Sequence, residues 1–458
     1  MSLDKSTFTQ RVPLVALRIA ARQCTTFTKK LEGHIFHRRN VRPIIKDELE
    51  GGSAQTKLLL LAETVTGIEL EGLPEELRSF VAAEGAQPIA YEHVLGYEHL
   101  TAEQVLRRLL PAGMEVPSSF EQVGHVAHVN LREEQLPFKS LIGQVLLDKN
   151  SPRVRTVVNK VESLSRDGTA ADQRTPADER AWRFRVFPME VLAGEDSLVT
   201  SVRENGATFR LDFREVYWNS RLEREHRRIV ELLRPDDVVC DMMAGIGPFA
   251  VPAAIRGSRV YANDLNPQSA HWLRANVAAN KVQQRVRTYN QDARAFLQLL
   301  LAPPAAASDA PAPAVGTGAS ADASAASSAS SGYCTEPGLP FGTFSHVFMN
   351  LPASALTFLD VFVGAFDRER WHAPLPRVHC HCFSKAEDPA ADVIAQAEAT
   401  IGCALPGATA RVVRDVSPHK LMMCVEFQLP DAVCWTTSAG VDDEQGAERK
   451  RQRLDADE

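Results

Sequence analysis

The 458-residue sequence contains no stretch of about 18 apolar residues free of charge, which removes the simplest membrane-spanning helix from consideration. It also lacks the positive excess of a strongly nucleic-acid-binding chain. The formal net charge is −7, and the tail Asp442 to Glu458, with seven acids and four bases, contributes −3 of it. A basic face can still hide in the remainder, because attraction follows local charge rather than the total. Cysteine is sparse: eight are scattered from Cys24 to Cys434, which reads as reduced thiols rather than a disulfide scaffold. No secretory signal opens the chain. Residues 5–45 are rich in Arg and Lys, as in a mitochondrial presequence, but Val12 to Ile19 (VPLVALRI) reads as a buried strand of a folded domain.

What is present divides the chain into regions of different texture. Residues 1–112 mix short apolar runs (Val12 to Ile19, Leu58 to Ala62) with charge and read as a small α/β or α+β domain. Residues 113–205 form a middle region in which Val123 to Val129 and Ile142 to Leu147 suggest strands, and Asp167 to Glu179 reads as a loop. Residues 206–440 switch to strand–helix units: strands at Val238 to Asp241, Arg259 to Asn263, Val286 to Tyr289 and His346 to Met349, with helices opening at Phe249 and Gln268. That alternation predicts a mostly parallel sheet covered by helices. The Ala/Ser/Pro/Gly-dominated segment 302–340 reads as a disordered insertion, and 441–458 as a disordered tail.

The chemistry concentrates in VVCDMMAGIGPFAVPAAIRGSRVYANDLNP. A strand ends on Asp241, the chain turns through Gly245 and Gly247, and a helix follows. The glycines let the backbone approach a ligand closely. Asp264, at the end of the next strand, can accept hydrogen bonds from both hydroxyls of a ribose. A dinucleotide fingerprint would bring a pyrophosphate to the helix N-terminus, and its third small position falls on Ala250 here. But Asp241 before the turn would repel a pyrophosphate and instead positions a cation. S-adenosylmethionine carries a sulfonium and an ammonium and no phosphate, so the segment favours it. Asp292 could hydrogen-bond adenine, and Asn350 in MNLPAS stands at the carboxyl edge where open α/β sheets bind ligands. The run HCHC at 379–382 offers metal-ligand residue types. Alternate residues of a strand face opposite ways, and no second cluster has zinc spacing, so it reads as a core strand with no metal expected.

Taken together, FREVYWNSRLEREH (Phe213 to His226), DMMAGIGPF, NDLNP and NLPA resemble the eukaryotic and archaeal tRNA (guanine-37 N1)-methyltransferases. So do Phe120 to Lys160, FPMEVLAGE at 187–195 and the opening LDKSTFTQRVPLVALRI, none of which a generic methyltransferase carries. The resemblance implies a class I, Rossmann-like, S-adenosylmethionine-dependent methyltransferase domain behind smaller N-terminal domains, the first recognising tRNA shape. It implies cofactor contacts at His226, Asp264, Leu265, Asp292, Ala293 and Asn350, beside Asp241, Gly245 and Gly247 from the segment itself. It implies Glu225 as general base, Arg185 as the arginine on guanine O6 with Arg183 competing for that alignment, and Tyr217 and Arg221 near the target nucleotide. Ala293 stands where the family has glycine. Leu351 stands where the N-P-P-type turn of amino-group methyltransferases has proline.

N1 of guanine carries a proton at neutral pH, so a carboxylate of raised pKa is expected as base, with a guanidinium meeting the charge on O6. The expected partner is the tRNA anticodon arm around G37. The chain is expected to act as a monomer without membrane contact, in cytoplasm or nucleus, with the mitochondrial matrix also open. Methylation of another RNA position or a protein side chain, and a non-catalytic RNA-binding protein, are the alternatives.

Overall fold

Hydrophobic alternation in QRVPLVALRIA yields the longest strand of the first part of the chain, β1 (Gln10–Ala20), with Val12, Leu14, Ala16, Leu17 and Ile19 buried. The computed structural model describes residues 3–117, 119–160, 184, 186, 188–302 and 343–436. Calls on Asp167 to Glu179, on the insertion beyond Ala302 and on the tail from 441 fall outside them. Two units form, Met1–Glu162 with Pro188–Ser197, and Ser163–Phe187 with Leu198–Glu458.

The first unit holds two four-stranded sheets. One is antiparallel, ordered β2 (Ile44–Lys46), β3 (Thr56–Leu60), β1, β4 (Gln87–Leu95). The other runs β5 (Glu121–Val123), β6 (Val126–Val129), β7 (Thr156–Lys160), β8 (Met189–Gly194). In it β6 and β7 are parallel, and parallel neighbours need a crossover. The helix Lys139–Asn150 supplies it. This corrects the strand expected at Ile142 to Leu147. Ile142, Val145 and Leu146 bury one helical face at i, i+3, i+4, and a six-residue apolar run does not by its pattern distinguish a buried strand from such a face.

The second unit opens with a hairpin, β9 (Val199–Glu204) and β10 (Ala207–Asp212), turned by Asn205 and Gly206 at φ 49° and 80°. Asn-Gly is the pair that tolerates both positive angles. A seven-stranded sheet follows in the order β13 (Val286–Tyr289), β12 (Arg259–Asn263), β11 (Val238–Asp241), β14 (His346–Met349), β15 (Arg377–Ser384), β17 (Lys420–Gln428), β16 (Thr409–Ser417). β17 is antiparallel to both its neighbours, while the other pairs are parallel. The strand order reverses between β11 and β14, which opens a crevice at their carboxyl ends. This is the Rossmann-like α/β class the sequence predicts. The helices Ala250–Ile255, Pro267–Ala279, Ala293–Leu301 and Pro389–Ile401 serve as crossovers. Asn276, fully buried, fastens the hairpin to this domain: its Oδ1 accepts from Arg210 N at 2.7 Å and its Nδ2 donates to the Arg210 and Ile246 carbonyls at 3.1 Å. Among the described residues, no helix is long and apolar enough to cross a membrane.

Candidate active site

The carboxyl edge of the sheet gathers most of the expected residues. Asp241 is the last residue of β11, Asp264 follows β12, Asp292 follows β13, and Asn350 follows β14. Between Asp241 and the helix at Ala250, Gly245 and Gly247 adopt φ of 56° and 100°. A Cβ on Gly247 would stand 2.8 Å from Leu273 Cδ1 and 3.0 Å from Val251 Cγ2, so the turn admits no side chain there. Asp264 holds the turn in shape: Oδ2 accepts from Gly245 N at 2.8 Å and Oδ1 from Asn266 N at 2.9 Å. The Ser269 side chain also hydrogen-bonds this carboxylate, which leaves about one of its four lone pairs for a ligand hydroxyl. Asn263, wholly buried, donates to the Met242 and Gln291 carbonyls and accepts from Gln291 N, so it ties the first and third strand ends together.

Several buried polar atoms at this edge have no hydrogen-bond partner within the protein: both oxygens of Asp241, Oδ1 of Asn350 and Nε2 of His226. Buried polar groups are paired as a rule, so a cluster of orphans at a sheet's ligand crevice fits an absent ligand carrying donors. Burial pushes the Asp241 carboxyl well above the usual range; a backbone contact from Met243 N opposes it, and nearby Asp264 adds a smaller upward push. Desolvation also raises Asp264, against its backbone hydrogen bonds. A site holding two such acids favours a cation.

The other expected positions differ in character. Leu265 is exposed, and its carbonyl accepts from Asn290 Nδ2 at 3.1 Å. Asp292 caps the helix Ala293–Leu301 through Arg294 N at 2.9 Å, with Ala293 buried behind it. Tyr217 and Arg221 are exposed on the segment leading into the helix Glu223–Glu231, which Asn266 ties to the carboxyl edge of the sheet through the Glu215 carbonyl at 2.9 Å. Arg185 and Arg183 lie outside the described residues.

Glu225 and His226 are both buried on that helix. His226 Nδ1 hydrogen-bonds Glu204, itself 5% exposed on β9, and the imidazole packs edge-on against Phe249 with ring centroids 4.7 Å apart. Glu225 accepts from Arg228 Nε at 2.8 Å and Nη2 at 2.7 Å, and lies 2.9 Å from His381 Nε2. The expectation of a raised pKa for Glu225 is therefore corrected. Burial alone would push the carboxyl up, but the hydrogen bonds from Arg228 and His381 outweigh it and lower the pKa to about 2. Glu225 is a charged, weakly basic carboxylate before substrate arrives.

HCHC is a core strand, as its alternation implies: Cys380 and Cys382 join the main apolar core, while His381 faces Glu225. Sequence reading missed the part His381 plays, and also Glu204, Asn263 and Arg228. Of these, Arg228 alone carried a local signal, its i+3 spacing from Glu225 on a helix.

A family model described as the TRM5/TYW2 methyltransferase domain matches residues 200–302, and one described as the TYW2 N-terminal domain matches 102–197. A tRNA (guanine(37)-N(1))-methyltransferase of Phytophthora infestans is 41% identical over 98% of this chain and 97% of its own length. The Danio rerio protein of the same name is 40% identical over 95% of this chain and 83% of its own. Among solved structures, one described as the complex of aTrm5 and tRNALeu superposes with a TM-score of 0.59 at 17% identity, covering 91% of this chain and 100% of that one; it shares the fold.

Proposed function

Because the chain belongs to the tRNA (guanine(37)-N(1))-methyltransferase family, we propose that it transfers a methyl group from S-adenosylmethionine to N1 of guanosine 37 in tRNA. The observation that carries this reading is the identity that runs through nearly the whole of both chains, N-terminal region included, in relatives named for that activity.

The crevice between β11 and β14 fits the methyl donor by its chemistry. Asp241 and Asp264 are acids suited to an ammonium and to ribose hydroxyls, Asn350 and His226 offer unpartnered polar atoms, and the Gly245–Gly247 turn admits close approach. When bound, S-adenosylmethionine supplies an electrophilic methyl on a positively charged sulfur. The protein's task is to bring guanine N1 onto that methyl and to take its proton. A base in a folded anticodon arm has to leave its stack first.

Glu225 takes the N1 proton. A carboxylate of pKa about 2 is a weak general base, but it is ionised throughout the physiological range and buried, where its field is poorly screened. Charge that develops on O6 calls for a cation, the role in which Arg185 is proposed, and orientation supplies much of the remaining rate.

The direct test is labelled-methyl transfer to a tRNA transcript carrying G37, beside the same transcript carrying adenosine at that position. The expected result is label on the first alone. Equal labelling of both transcripts would refute the site assignment, and a Glu225→Gln enzyme of undiminished rate would refute the base.

A further inference from the structure

The surroundings of Glu225 give work to side chains that the proposed reaction has not used. Glu225 and Arg228 lie one helical turn apart, so the guanidinium reaches back over the carboxylate with two nearly parallel hydrogen bonds, Nε to Oε2 at 2.8 Å and Nη2 to Oε1 at 2.7 Å. The third nitrogen is occupied as well: Arg228 Nη1 lies 2.7 Å from Glu426 Oε1. Arg228 is therefore braced between two carboxylates on different elements, and that fixes its plane.

The second support comes from the sheet. β15 and β17 pair His381 with Cys424 and His379 with Glu426, so the two-residue repeat presents all four toward the helix Glu223–Glu231. His381 Nε2 reaches Glu225 Oε1 at 2.9 Å, while Phe249 packs on its ring at 5.8 Å. Behind them, His379 Nδ1 lies 3.4 Å and Arg377 Nη2 3.9 Å from Glu426. The groups facing Glu225 are thus Arg228 from its own helix, His381 from β15, and Cys424 with Glu426 from β17.

Ligand atoms of Glu225, His381 and Cys424 lie within 4.8 Å of one another, a spacing that would suit a metal ion. Two observations argue against one. Arg228 already neutralises Glu225, and burial pushes the Cys424 thiol well above its usual range, so it offers no thiolate. The third member of the set behaves as a donor facing a carboxylate. Facing an ionised carboxylate, His381 Nε2 donates, while its Nδ1 is buried without a partner.

The donors are unequally shared. Oε1 accepts from both Arg228 and His381, whereas Oε2 accepts from Arg228 alone. We propose that Arg228 and His381, braced by Glu426, are positioning residues that clamp Glu225 by Oε1 and present Oε2 as the atom that takes the guanine N1 proton. The inference rests on Glu225 being the base. In the step, the N1–H bond breaks and its proton goes to Oε2. The electron pair left on guanine forms the new N1–methyl bond, and the pair of the breaking sulfur–methyl bond stays on sulfur.

Without Arg228 the Glu225 carboxyl would lose the largest of the influences that hold its pKa down, while burial, the largest single influence, would still push it up, so its pKa should rise. Arg228→Met fills similar space without a donor, so Glu225 should begin to take up protons at mildly acidic pH and lose base function there. The experiment measures kcat and KM for the G37 transcript at pH 6 and 8.5, with Arg228→Lys, which keeps the charge, as the conservative variant. The expected result is a Met-variant to wild-type ratio of kcat about tenfold lower at pH 6 than at pH 8.5, with KM unchanged and the Lys ratio flat. A Met ratio equal at both pH values overturns the clamp. Should Arg228→Met fail to fold, His381→Phe against His381→Gln decides instead. The Phe enzyme should lose kcat at constant KM, and the Gln enzyme, which keeps an N–H donor, should recover it. Equal kcat in the two would overturn the proposal. Failure of the underlying reading looks different, since wild-type enzyme would then leave the G37 transcript unlabelled or Glu225→Gln would keep its rate.

Discussion

Asp241→Asn should make the free protein more stable and the ligand-bound protein less so, and the two effects can be read in one experiment. Asp241 has no solvent exposure, and neither of its oxygens has a hydrogen-bond partner. Leaving a buried polar group unpaired costs about 1–3 kcal/mol, and more when it is charged. Its folded pKa lies above the unfolded value of 3.8, because burial and Asp264 both disfavour the charged form. The sign follows: as pH rises from 3.8 toward the folded pKa, the unfolded state sheds this proton first, and stability falls. An amide of the same shape has no charge to desolvate. At pH 8 the variant should therefore gain about 1–3 kcal/mol, or roughly 3–8 °C in Tm for a domain of this size. The advantage should shrink as pH falls through the folded pKa, where the wild-type carboxyl regains its proton. In the bound state the carboxylate would face an ammonium, and losing a charge-assisted hydrogen bond costs about 1.5–3 kcal/mol, so affinity for S-adenosylhomocysteine should fall roughly 10- to 150-fold. Thermal unfolding at pH 5 and pH 8, with and without S-adenosylhomocysteine, reads both. A variant less stable than wild type when free, or unchanged in affinity, would refute the argument.

Two further substitutions test the same crevice. Gly247→Ala places a Cβ 2.8 Å from Leu273 and 3.0 Å from Val251 at φ 100°, so it should lose about 2–4 kcal/mol of stability, seen as a lower urea midpoint; a midpoint equal to wild type would show that the turn can relax. Glu204→Gln removes the charge that holds His226 Nδ1 inside the protein, and should weaken S-adenosylhomocysteine binding about tenfold by calorimetry while leaving 5′-methylthioadenosine, which lacks the amino-acid portion, unaffected. Equal losses for the two ligands would refute a contact between His226 and the amino-acid portion of the ligand.

The carboxyl edge of the sheet was legible in the sequence because each of its parts is local. A strand, an acid, a glycine turn and a helix follow one another from Val238 to Ile255, and the period of apolar residues changes where the element changes. A parallel sheet then obliges Asp241, Asp264, Asp292 and Asn350 to share one edge, since each follows its strand in the same direction. Ile142 to Leu147 lies in a helix, although its run is too short for periodicity to separate a helix from a strand. The crossover between the parallel strands β6 and β7 settled it.

The sequence by itself determined the glycine turn after β11, the acids at the strand ends and the helix carrying Glu225 and Arg228, each set by neighbours within a turn or a strand. Tertiary structure decided the state of those groups. His381 meets Glu225 across 156 positions and Glu204 meets His226 across 22, by way of strand register and helix packing that no local pattern records. The reversal of Glu225 from an expected raised pKa to about 2 belongs to that second class. Ionisation depends on which donors surround a desolvated carboxylate, and three-dimensional packing chooses those donors.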